Sequence, residues 1–120
     1  MHVAAQVLVA LVAVIHLYFL VLEMFLWDTD RGRKAFGTTA AFSRESATLA
    51  ANQGLYNGFM AAGLIWSLFA SDPVAHQTQI FFLICLVVAG VYGAATVSRK
   101  ILYVQAGPAA LALTLVLLAG

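Results

Sequence analysis

The sequence has 120 residues, enough for one domain; 63% of them are apolar and only 9% charged, against roughly 25% charged in an ordinary soluble domain. A net charge of +1 offers no polyanion-binding surface, which excludes nucleic acid as a partner, and the single cysteine, Cys85, excludes an intrachain disulfide. Apart from Glu23, every charge lies within 28–45, at Asp72 or at Arg99–Lys100, leaving charge-free stretches at 1–22, 46–71, 73–98 and 101–120. A span needs about 20 mostly apolar residues to cross a hydrocarbon core of about 30 Å. The pattern predicts one polytopic membrane domain over 1–120.

The expected fold is all-α: a bundle of four transmembrane helices built from two antiparallel hairpins. The first span is expected over about 3–27. Met1-His2-Val3 lacks the basic start of a signal peptide and the apolar run behind it is too long for one, so it reads as an uncleaved span. Trp27 ends it as an interfacial anchor, followed by Asp28-Thr29-Asp30-Arg31-Gly32-Arg33-Lys34 as a water-exposed loop. A short interfacial stretch then leads to Ser43 as a helix cap.

The second span is expected over 47–70, the third over 77–98 and the fourth over 101–119, with Ser71-Asp72-Pro73 as a turn. Ser98-Arg99-Lys100 is so short that spans three and four must form a hairpin. Within the fourth, Gly107-Pro108 permits a bend that frees backbone carbonyls. All six cations fall in the first and third connections, so the positive-inside rule places those loops in the cytoplasm and both termini outside. The implied location is a bacterial cytoplasmic (inner) membrane.

Polar residues inside the spans are the functional candidates. Glu23 is the one acid within a span, and His16 lies seven residues earlier on the same helix face. These two are the candidate catalytic acid–base groups. Asn52, Gln53, Tyr56 and Asn57 are expected to form a continuous polar face of about two turns. Tyr92 and Thr96 make a stripe on span three, and Gln105 enters from span four. Under the predicted topology these seven substrate-binding candidates lie with Glu23 in the cytoplasmic half, below an outer half nearly bare of polar groups. Gly54, Gly58 and Ala62, together with Gly90 and Ala94, offer more close-packing faces than one bundle needs, which predicts a homo-oligomer. No metal site is expected: Asp28-Thr29-Asp30 is hydrated loop, and His2, His16 and His76 are scattered along the chain.

The strings His16-Leu17-Tyr18-Phe19-Leu20-Val21-Leu22-Glu23-Met24, Asn52-Gln53-Gly54-Leu55-Tyr56-Asn57-Gly58 and Val91-Tyr92-Gly93-Ala94-Ala95-Thr96-Val97-Ser98-Arg99-Lys100 resemble an uncharacterised family of small bacterial four-span membrane proteins. That resemblance covers essentially the whole chain; it implies the four-helix architecture and no assigned activity. Leu55-Tyr56-Asn57-Gly58 is also similar to the second helix of the styrene oxide isomerases, small four-span haem enzymes. That likeness covers one helix and raises haem as a cofactor, with His16 as candidate ligand. Asn52 stands about where that pattern has its haem-ligating histidine. The chain's size and single acid in helix 1 are similar to small multidrug-resistance exporters, whose acid lies nearer mid-span.

Three functional expectations follow. The first is an isomerase-like enzyme or a binding protein for a small lipophilic molecule, with Glu23 or His16 as acid–base group and the amide and phenol cluster holding a carbonyl, epoxide or hydroxyl. The second is a small-molecule or proton-coupled transporter, and the third a structural membrane subunit. Alternating access needs an outer pathway, and the bare outer half weighs against transport.

Overall fold

The computed structural model describes residues 2–120. The helices are α1 (His2–Met24), α2 (Asp30–Phe36), α3 (Ala40–Phe69), α4 (Val74–Thr96) and α5 (Gly107–Ala119), with a π-helical turn at Leu102–Ala106 leading into α5. No strand occurs among the described residues.

Three helical segments are long and apolar enough to cross a membrane: His2–Met24, Val74–Thr96 and Leu102–Ala119. The sequence predicts four. The missing one, α3, is 30 residues long, about 45 Å, so length is not what it lacks. Asn52, Gln53, Tyr56 and Asn57 make it too polar to qualify with the others. Less than a third of each qualifying segment is buried, and large apolar side chains such as Val7, Val14, Phe81, Val88 and Leu118 face outward. Apolar surface on that scale marks a membrane protein.

The chain forms two compact units, residues 14–61 and residues 1–13 with 62–120. In the first, α1 ends at Met24, short of the predicted 27, and the predicted loop contains the short helix α2. Seven residues do not hold a helix alone. Here Thr29 Oγ1 accepts from Gly32 N at 3.3 Å as N-cap, Gly37 closes the C-terminus in the left-handed conformation, and the Trp27 ring packs on Phe36 at 4.9 Å. Arg33 bridges Asp28 and Asp30 at 2.8 and 2.7 Å. The expected cap at Ser43 is corrected: α3 starts at Ala40, Thr39 Oγ1 accepts from Phe42 N at 3.1 Å, and Ser43 is buried with its Oγ 2.6 Å from Thr38 Oγ1.

In the other unit, α4 returns as a hairpin onto the π-turn and α5, as the three-residue connection requires. Ala75, Gln79, Leu83, Leu86 and Gly90 form the buried seam of α4 at three- and four-residue spacing, and Ala109, Ala112 and Val116 form that of α5. The expected bend at Gly107-Pro108 takes a specific form. Proline cannot donate to the carbonyl four residues back, and the turn before it widens so that Gly107 N donates to Leu102 O.

Candidate functional site

Within residues 14–61, α1 and α3 meet through glycine. A Cβ on Gly54 would stand 2.7 Å from Met24 Cγ and 3.0 Å from Glu23 Cβ; one on Gly58 would stand 2.6 Å from Leu20 Cδ1. The two missing side chains let the helix backbones approach, the small-xxx-small device of membrane helices. At this contact Asn57 Nδ2 donates to Glu23 Oε1 at 2.5 Å, and both residues are buried. An amide donor facing a carboxyl oxygen is what a buried acid requires, because lipid and apolar side chains offer it nothing.

His16 is buried on α1, two turns or roughly 10 Å before Glu23, with its ring edge-on to Phe19 at 5.2 Å. Trp27 lies past the end of α1, off the stripe of His16 and Glu23. Its indole Nε1 instead donates to Ser46 Oγ at 3.0 Å, and Ser46 Oγ donates to Phe42 O at 2.6 Å, tying the end of α1 to the start of α3.

The four polar residues of α3 do not act as one face. A helix turns roughly 100° per residue, and the buried arc is Ala50, Gly54, Asn57 and Ala61. Asn57 belongs to that arc, Asn52 and Tyr56 lie opposite it, and Gln53 falls at its edge; these last three are exposed. Tyr92 and Thr96 are likewise exposed on α4, and Thr96 Oγ1 is bonded to Tyr92 O of its own helix at 2.7 Å. Gln105 is half-buried in the π-turn. The predicted cluster thus resolves into one buried pair, Glu23–Asn57, with His16 further along α1 and the other candidates on helix surfaces or in the π-turn.

The half that the sequence reading places outside is not bare of polar groups. Within residues 1–13 and 62–120, a cavity of about 260 Å³ is lined by His2, Gln6, Asp72, His76 and Gln79, with alanines and Val116 as its apolar wall. Gln79 Nε2 donates to Gln6 Oε1 at 2.9 Å. Sequence reading missed this site because its polar residues sit at the starts of two separate apolar stretches and at the acid just before the second, where each alone looks interfacial. No group of three or more His, Cys, Asp or Glu able to hold a metal ion occurs among the described residues.

Comparison with known proteins places the chain in a family. The family described as protein of unknown function (DUF1304) matches residues 10–117. An uncharacterized protein of Lactococcus lactis subsp. lactis (strain IL1403), YpaA, is 32% identical over 115 residues, which cover 94% of this chain and 96% of that protein. No solved structure matches.

Proposed function

For this chain, which belongs to the DUF1304 family of unknown function, we propose a small-molecule site built around the Glu23–Asn57 pair. In this reading the protein crosses the cytoplasmic membrane four times with both termini outside, α3 forming the second span. Its 30 residues and its charge-free stretch 46–71 support that, and its polarity is what a site-bearing span must carry. The ligand is a small lipophilic molecule with one hydrogen-bonding group, held in the cytoplasmic half. Glu23 is the acid–base group and Asn57 the group that positions it.

The observation that carries this reading is a carboxyl buried inside an apolar helix with a dedicated amide partner. Ionisable residues inside spans are costly and mark functional sites by default. Asn52, Gln53 and Tyr56 extend hydrogen-bonding capacity on the outward face of α3, where partners come from the ligand or a second copy in a homo-oligomer. A structural reading competes, because Gly54 and Gly58 pack α1 and α3 tightly at the same place. There the pair serves only to fix helix register.

Two variants separate these readings, read by melting temperature in detergent and by mass spectrometry of co-purified small molecules. With an acid–base site, Glu23→Gln keeps the fold and accumulates the unconverted molecule, while Asn57→Ala loses the molecule. With a structural pair, Glu23→Gln is nearly silent and Asn57→Ala lowers the melting temperature, a loss of about 1–3 kcal/mol in stability, with no molecule to lose. Recovery of no small molecule from any variant rejects the proposed site.

The topology is tested separately. A reporter active only in the cytoplasm is expected to be active when inserted near Gly37 and inactive at the C-terminus. Cytoplasmic labelling beside Asp72 overturns the arrangement.

A further inference from the structure

The outward side of α3 carries a stripe with its own register. We propose that it pairs with the same stripe of a second copy of this chain, Asn52 facing Asn52. This rests on the reading of α3 as a span and of one orientation for every copy, and not on the Glu23 site.

Spacing and exposure together define the stripe. Glu45, Thr48, Asn52, Leu55 and Phe59 follow one another at intervals of three, four, three and four residues, and every one of them is exposed. That is the 3.5-residue repeat on which two helices pack along their length with a left-handed crossing. The stripe runs opposite the buried arc through Gly54 and Asn57. Packing within the chain uses one side of α3 and leaves the other open.

Polarity selects the occupant. Asn52 lies six residues, about 9 Å, past Ser46, where the charge-free stretch begins. Lipid chains offer its amide neither donor nor acceptor, and the side chain is too short to reach the headgroups as a lysine would. An amide carries both donor and acceptor, so an identical amide satisfies it reciprocally. Copies inserted in one orientation hold their α3 helices parallel. A two-fold axis along the membrane normal then brings each residue of the stripe to its own counterpart. In that register position 45 packs beside position 44 of the other copy, which sets the Arg44 guanidinium next to the Glu45 carboxylate on both sides of the axis. Leu55 and Phe59, 41% and 53% exposed, supply the apolar contact between these polar layers and the rest of the span. A shift of one turn separates Asn52 from its counterpart and Arg44 from Glu45 together, so both pairs specify the same register.

The test uses the full chain in its native membranes, with Cys85→Ala removing the native thiol. In that background Leu55→Cys is expected to form a disulfide-linked dimer under mild oxidation. Gln53→Cys, exposed on the same helix but off the stripe, is expected to stay monomeric. Energy transfer between labelled copies in lipid vesicles then measures the dissociation constant. Asn52→Leu is expected to raise it about fivefold, the worth of one interhelical hydrogen bond in a membrane, and Asn52→Gln, which keeps donor and acceptor, is expected to raise it less. Position 52 is exposed, so the melting temperature of dilute monomer in detergent stays unchanged in Asn52→Leu and separates a lost contact from a lost fold. A membrane-impermeant maleimide, applied to both faces of the membrane under reducing conditions, tests the premise. Labelling of Leu55→Cys overturns α3 as a span and the interface with it. No labelling, with Leu55→Cys cross-linking no better than Gln53→Cys, overturns the interface and leaves the span standing. An unchanged dissociation constant in Asn52→Leu also overturns it.

Discussion

Gly90→Val is expected to destabilise the α4–α5 hairpin by about 3 kcal/mol, at the upper end of what overpacking costs. A Cβ on Gly90 would stand 2.6 Å from both the Cβ and the backbone nitrogen of Ala106, and 2.8 Å from its Cα. Two of those three atoms are backbone, so no rotamer change relieves the clash. The π-turn cannot withdraw easily either, because it is fixed by the bond from Gly107 N to Leu102 O immediately before Pro108. Relief requires α4 to separate from the turn, which opens the seam formed by Gly90, Ala106 and Ala109. Thermal melting followed by circular dichroism measures the loss. Ala89→Val, on the exposed side of the same turn of α4, is the control and is expected to melt like the wild type. Adding Ala106→Gly to Gly90→Ala removes the Cβ contact alone and restores only part of the stability. Full restoration would show that backbone proximity is not the constraint.

Gly32→Ala is expected to detach α2 at a cost of about 2 kcal/mol while leaving the α4–α5 hairpin untouched. Its Cβ would overlap Leu26 O and lie 2.7 Å from Trp27 O, both backbone atoms. The chain reaches this position because Thr29 Oγ1 donates to Leu26 O at 2.6 Å and accepts from Gly32 N, folding the first turn of α2 directly over the preceding carbonyls. Only a residue without a side chain fits there. Hydrogen exchange is the appropriate measurement: amides of 30–37 lose protection in the variant and those of α4 and α5 keep it. Arg31→Ala, at an exposed neighbouring position, is expected to leave exchange unchanged. Equal loss of protection in α4 would mean that the substitution unfolds the chain rather than the loop.

The glycines that carry these two predictions illustrate what a sequence exposes and what it withholds. Gly54 and Gly58, four apart in a charge-free stretch, can be read as a packing face directly. Gly32, in a stretch dense with charge, reads as loop, and only its contact with Leu26 and Trp27 shows it to be a packing residue. The same division runs through the candidate site. Glu23 is conspicuous as the one acid in a span, and of Asn52, Gln53, Tyr56 and Asn57 only Asn57 lies within the arc of Ala50, Gly54 and Ala61. That arc was available from helical geometry. The i, i+4 spacing of Asn52 with Tyr56 and of Gln53 with Asn57 hid it by suggesting one face where there are two sides.

By itself the sequence determined the helical class, the three strongly apolar helices, the tight α4–α5 hairpin and the prominence of Glu23. These follow from hydropathy, charge placement and connection length, which act locally along the chain. Tertiary structure alone decided that Asn57 rather than Gln53 or Tyr92 meets Glu23, that α2 folds back over Trp27, and that His2, Asp72 and His76 share a cavity. The first and the last join residues far apart in sequence, and which pairs meet depends on how helices rotate about their own axes and pack. Hydropathy sets where a helix runs. Its rotation is set by close contacts of a few ångströms, here mostly at glycine and alanine, and a linear pattern specifies those only once the neighbouring helix is in place.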